Sequence, residues 1–268
     1  GGSGVTREMA LQVPTVAGGI DLIANMVAST PIKLYQEQPG VKAREVTNDI
    51  RLRLLNDETG DTLNANEFWK AMVRDYYLGK GGYAYIRRDN GRISGLHYVQ
   101  EQDISILKGN DPILKDFDIQ VAGNTYRPFE FFKILRNTQD GAEGCPITQE
   151  NAKLIETAYA ALVYERNMAR RGGNKKGFLK SEKALDRESL DSLRNAFSRL
   201  YSADSEGSDN FVLLNKGIDF KESSNTSAEL QMNENKQTNA AEFAKLFHVS
   251  TGCMAGTAGE KEVASLAR

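Results

Sequence analysis

Apolar positions along the chain change period several times, and each change marks an element. Val16, Ile20, Ile23 and Val27 recur at spacings of four, three and four, which predicts one helical stripe. Pro14 suits the first turn of that helix and Pro31 ends it. Ile32 to Tyr35 then reads as a short strand. Asn64-Ala65-Asn66-Glu67 has the form of a capping box opening a second helix, with Phe68, Met72 and Tyr76 on its buried side. After Gly79-Lys80-Gly81-Gly82 the period falls to two. Tyr83 to Arg88 and Arg92 to Val99 form a hairpin around Asp89-Asn90-Gly91, and Ile104 to Leu107, Phe117 to Val121 and Phe129 to Leu135 are further strands.

From Pro146 the pattern is helical again. Thr148 to Arg171 predicts one long helix, with Ile155, Tyr159 and Leu162 on one side and Leu154, Ala158 and Ala161 on another. Gly177 to Leu179 reads as a strand. Asp186 caps a helix bearing Leu190, Leu193, Phe197 and Leu200, and Asn210 to Leu214 pairs with Ile218 to Phe220. Ser202 to Asp209 is an acidic, small-residue loop. The last elements are Ser227 to Asn235 and a helix from Asn239 to Val249. The class is α+β: a mixed domain, a long helix, a small αβ insert and a returning helix.

Composition narrows the possibilities. Forty per cent hydrophobic and 26% charged residues over 268 positions belong to an ordinary folded protein. Gly1 to Gly4 reads as a linker or tag remnant, and the most apolar stretch, Val16 to Val27, is too short and too polar to span a bilayer. Two cysteines, Cys145 and Cys253, make neither a disulfide framework nor a metal cluster. The formal charge of −2 is not that of a protein gripping many phosphates.

Candidate chemistry is sparse. The glycines at 79–82 follow a helix and precede a strand, the reverse of a phosphate-binding loop, so a turn closing the helix is expected. His97 and His248 lack metal-ligand spacing and an adjacent nucleophile, and Asp57-Glu58 and Glu260 with Glu262 sit in turn-like or terminal segments. No catalytic set, cofactor site or metal site assembles, so no enzyme is expected. Two features stand out. Arg166, Arg170, Arg171, Lys175 and Lys176 form a basic run, suited either to capping a helix C-terminus or to contacting DNA or a protein partner. Thr251, Gly252, Gly256 and Gly259 mark a second glycine-rich loop.

Several segments, taken in order, resemble the portal proteins of HK97-like phages. They are Ile23 to Tyr35 with its Thr30-Pro31 break, Leu54-Leu55-Asn56, Glu67-Phe68-Trp69, Gly82 to Arg88 with Asn90-Gly91-Arg92, and Phe243 to Val249. The family often carries Gly and then Pro near the end of that last helix, where this chain has His248 and Ser250.

The resemblance implies a wing over residues 5–145, stem helices at 146–173 and 224–250, a clip at 174–223, and a tunnel loop with the start of a further helix at 251–268. The sequence is expected to be truncated at its C-terminus relative to that family. Also implied is a homo-oligomeric ring, a dodecamer in the virion, at the portal vertex of the capsid and in the host cytoplasm during assembly. Expected partners are the large terminase subunit, which supplies the packaging energy, a head–tail adaptor, the major capsid or scaffold protein, and double-stranded DNA in the channel; no membrane is involved. Surplus apolar surface on the two long helices would be buried between neighbouring subunits. The competing reading is a scaffold or adaptor that binds proteins through a helical hairpin and never meets DNA.

Overall fold

A computed structural model describes residues 4–170, 177–181, 186–201, 218–222 and 238–257. The chain divides into two compact units, Gly1–Glu156 with Ala240–Arg268, and Thr157–Asn239. In the first unit, α1 (Arg7–Gln12) and α2 (Pro14–Ser29) precede a hairpin of β1 (Leu34–Gln38) and β2 (Val41–Val46). Then come α3 (Ile50–Asn56) and α4 (Ala65–Leu78). As the capping box predicts, Asn64 Oδ1 accepts the backbone N–H of Glu67 at 2.9 Å. The buried face of α4 holds Phe68, Met72 and Asp75, whereas Tyr76, expected inside, is only half-buried.

β3 (Gly82–Asp89) is the centre of an antiparallel sheet, flanked by β4 (Arg92–Val99) and β8 (Phe131–Ile134). Asn90 and Gly91 both take positive φ, 52° and 77°, which the two-residue turn between β3 and β4 requires. A second sheet joins β5 (Ile104–Lys108), β6 (Phe117–Val121) and β7 (Asn124–Tyr126). Phe68, Trp69 and Met72 pack with Leu54, Ala84 and Leu96 to form one core, while Tyr83 joins Ile104, Ile119 and Phe131 in another. Burying each such side chain contributes about 1.5–3 kcal/mol.

The glycine segment is a site of close backbone approach. A Cβ on Gly82 would lie 2.6 Å from the Met72 carbonyl oxygen, so the middle of α4 meets β3 with no room for a side chain.

Beyond Pro146 the single long helix expected over Thr148 to Arg171 is two: α5 (Ile147–Glu150) and α6 (Ala152–Arg170). Asn151, at φ −115° and ψ 30°, interrupts them. In the second unit, α6 is followed by β9 (Gly177–Ser181), α7 (Arg187–Tyr201) and β10 (Ile218–Glu222). Asp186 accepts the Ser189 N–H, so it caps α7 as expected. β10 pairs with β9 in antiparallel register. Asn210 to Leu214, Ser202 to Asp209 and Ser227 to Asn235 lie outside the described residues.

The returning helix, α8, is described over 238–246 and ends in a Schellman turn. His248 N–H donates to the Lys245 carbonyl at 3.1 Å and Val249 N–H to the Ala244 carbonyl at 3.0 Å. His248 holds the left-handed position at φ 55°, a conformation that glycine adopts without strain. Histidine is strained there, so His248→Gly is expected to stabilise the first unit by about 0.5–1 kcal/mol. A higher urea midpoint, followed by the fluorescence of Trp69, is the readout.

Candidate nucleic-acid interface

Residues 152–170 are free of Gly and Pro and rich in Ala, Leu and Glu, which explains the continuous helix α6. Its start is fixed by buried Ile155 and Ala158, and its later turns open to solvent, with Val163 and Tyr164 exposed. Arg166 and Arg170 are exposed and one turn apart on the same face, in the last turns of the helix, where the dipole favours cations. Arg171, Lys175 and Lys176 fall outside the described residues. The structure therefore supports a paired basic face for two of the five residues read from the sequence.

The glycine-rich segment departs from the open loop expected of it. Thr251 and Gly252 begin a short helix, α9 (Thr251–Ala255), whose first turn is capped by Ser250, with its Oγ accepting the Cys253 N–H at 3.2 Å. Gly256 closes it at φ 69°, and Thr257 N–H returns to the Gly252 carbonyl at 2.9 Å. This is a second Schellman turn, so 250–257 is a hydrogen-bonded knuckle. Gly259 lies outside the described residues. From Ser250 to Gly259 there is no charged side chain.

Several other titratable groups are paired locally. Lys108 binds Asp140 at 2.6 Å and also Glu143, and both raise its pKa. Desolvation works to raise Asp140, but Lys108 and the N–H groups of Ala142 and Glu143 outweigh it and hold the carboxyl below its ordinary range. His97 Nδ1 lies 3.2 Å from Asp61. Among the described residues no group of three His, Cys, Asp or Glu is placed to hold a metal ion, and no helix is long and apolar enough to cross a membrane. Cys145 and Cys253 are free thiols, both half-buried.

One surface escaped the sequence. A groove of about 490 Å³ lies between α2, α4 and the end of α8, lined by Ile23, Met26, Val27, Trp69, Tyr77 and Phe247 among others. Its lining holds no Asp, Glu, Lys or Arg. Burial, with Tyr76 nearby, pushes the Tyr77 hydroxyl up to about 12, so Tyr77 brings no charge to this wall. Phe247 sits on Gly19 and meets Tyr77 edge-on at 5.3 Å, which sets the width of the groove.

A sequence model of the family described as phage portal protein matches residues 14–262. The chain belongs to that family.

Solved structures agree at the level of fold. The portal chain is similar to a chain in the virion of a native gene transfer agent particle, with TM-score 0.60 and 18% identity over 94% of this chain and 69% of that one. An HK97-family portal protein from Corynebacterium diphtheriae gives 0.58 and 17% identity over 91% and 77%. A chain in the neck of the native gene transfer agent particle, computed with C12 symmetry, gives 0.59 and 20% identity over 95% and 69%. No curated protein sequence matches. The α+β class and the portal resemblance read from the sequence both hold.

Proposed function

We propose that this portal subunit assembles with copies of itself into a ring, a dodecamer in the virion, that conducts double-stranded DNA during packaging and ejection. The observation that carries the reading is the family match over residues 14–262, supported by the likeness to a chain in a neck solved with C12 symmetry. In this reading residues 5–145 are the wing, 146–173 and 224–250 the stem and 174–223 the clip. Residues 251–268 are the tunnel loop and the start of the next helix. The large terminase docks on the clip and supplies the energy, and a head–tail adaptor replaces it afterwards. The major capsid or scaffold protein surrounds the ring at the portal vertex, which forms in the host cytoplasm.

A conduit must let a polyanion slide both ways, and every strong phosphate contact acts as a brake. The uncharged knuckle at 250–257 fits that requirement. The paired Arg166 and Arg170 offer a limited cationic contact for DNA or terminase.

Electron microscopy of the purified chain tests the reading: rings with an open axial channel are expected, and a monomer at every concentration would favour the adaptor alternative. Replacing Arg166, Arg170, Arg171, Lys175 and Lys176 with Gln is expected to leave ring formation intact and to lower packaging about tenfold. Unchanged packaging would leave those residues only their helix-capping role.

A further inference from the structure

We infer that the loop at 109–116 is an apolar knob that docks into the groove between α2, α4 and α8 of a neighbouring copy of this chain. This inference rests on the ring reading above. The knob carries two aliphatic side chains in water: Ile113 is 86% exposed and Leu114 75%. Ordinary surface loops show such residues singly and on mobile backbone. Here the backbone is held in place. Asp111 Oδ1 accepts the N–H groups of both Ile113 and Leu114, at 2.8 and 3.1 Å, and Pro112 restricts the chain between them. Gly109 N–H donates to the Asp116 carbonyl at 2.8 Å, closing the loop at its base, and Lys115 Nζ donates to the Gln139 carbonyl at 2.9 Å. A loop ordered in this way presents its apolar tip with little further entropy to lose on binding.

The groove is the matching half. It is mostly apolar, with Thr30 and His248 at its edge and no Asp, Glu, Lys or Arg, and about 490 Å³ in volume, within the usual size of a binding cleft. Knob and groove share no residue, so one copy can offer both at once. A closed ring needs such a pair: each subunit meets its two neighbours through different, mutually complementary patches. An aliphatic tip suits a lining without ions better than a charged partner does, since a charge placed there would lose its hydration without gaining a counter-ion.

The test uses the full chain with a photo-crosslinking phenylalanine analogue in place of Ile113, prepared as a mixture of light and ¹⁵N-labelled protein. Light-to-heavy crosslinks are expected to peptides spanning 23–32 or 243–249. Crosslinks confined to other segments in rings that still form would overturn the knob while leaving the ring. In parallel, the double variant Ile113→Asp with Leu114→Asp changes only exposed positions, and mass photometry should show rings forming at a concentration at least tenfold higher. An unshifted assembly concentration counts against the inference. Wild-type protein that stays monomeric and gives no intermolecular crosslinks sinks both the inference and the ring.

Discussion

Asp75→Ala is expected to destabilise the first unit by about 3 kcal/mol. The carboxylate is 1% exposed and serves three groups. Tyr98 donates its hydroxyl to Oδ2 at 2.6 Å, Glu101 its backbone N–H to Oδ2 at 3.3 Å, and Arg7 Nη1 lies 2.7 Å from Oδ1. Removing the carboxylate leaves a half-buried phenol and a backbone donor without their acceptor. Arg7 is partly exposed, so water re-solvates it, which keeps the loss below that of a fully buried pair. Burial and the neighbouring Asp75 raise the Tyr98 pKa, so the hydroxyl remains a donor throughout the accessible range. Trp69, the only tryptophan, is packed in the same unit with Nε1 donating to the Leu55 carbonyl at 2.9 Å. Its fluorescence should show a urea midpoint lowered by about 1–2 M. Asp75→Asn keeps the shape and loses only the charge, so its effect should be about half as large.

Gly82→Val is expected to cost about 3 kcal/mol or more. Beyond the 2.6 Å approach to the Met72 carbonyl, the new Cβ would lie 2.9 Å from Ile134 Cγ1 and 3.0 Å from Met72 Cα. Two of these three atoms are backbone, which no rotamer change can move. Relief requires α4 to lift from β3, loosening the packing of Phe68, Trp69 and Met72. The same urea titration measures it, and a midpoint within error of wild type would show that α4 is free to shift against β3.

Where the sequence was legible, a local chemical rule and the tertiary fold agreed. The Asn64 cap, the Asn90-Gly91 turn and the five residues of β6 follow from such rules. Elements that bury almost nothing were not legible. α1 is six residues long with only Ala10 buried, and β2 is exposed along nearly its whole length, so neither shows a period, while β1 is legible only as far as Tyr35. Tyr76, placed inside by its spacing from Met72, is half-buried, while Asp75 is held inside by three donors that only the tertiary fold brings to it. The break at Asn151 was hidden because apolar spacing continues across it.

For the candidate interface, Arg166 and Arg170 could be read directly. Glycines in 251–256 suggested slackness, whereas Ser250 and Gly256 supply the start and stop of a helical turn. The groove was out of reach because its walls come from segments far apart in sequence and each contributes only the leftover side of a stripe. Val16, Ile20 and Ala24 take α2 into the core, which leaves Ile23, Met26 and Val27 for the wall.

The seat of Phe247 on Gly19 also orders events during synthesis. Ribosomes make chain from the N-terminus at about 5–20 residues per second, so α2 and α4 emerge long before their third wall exists. Through that interval a nascent subunit shows an unfinished apolar shelf, and all of residues 157–239 must be made before Phe247 can cover it. Closing so long a loop adds only a logarithmic entropic cost, yet it comes last. The groove between α2 and α4 therefore gains its third wall only after residue 247 has been made.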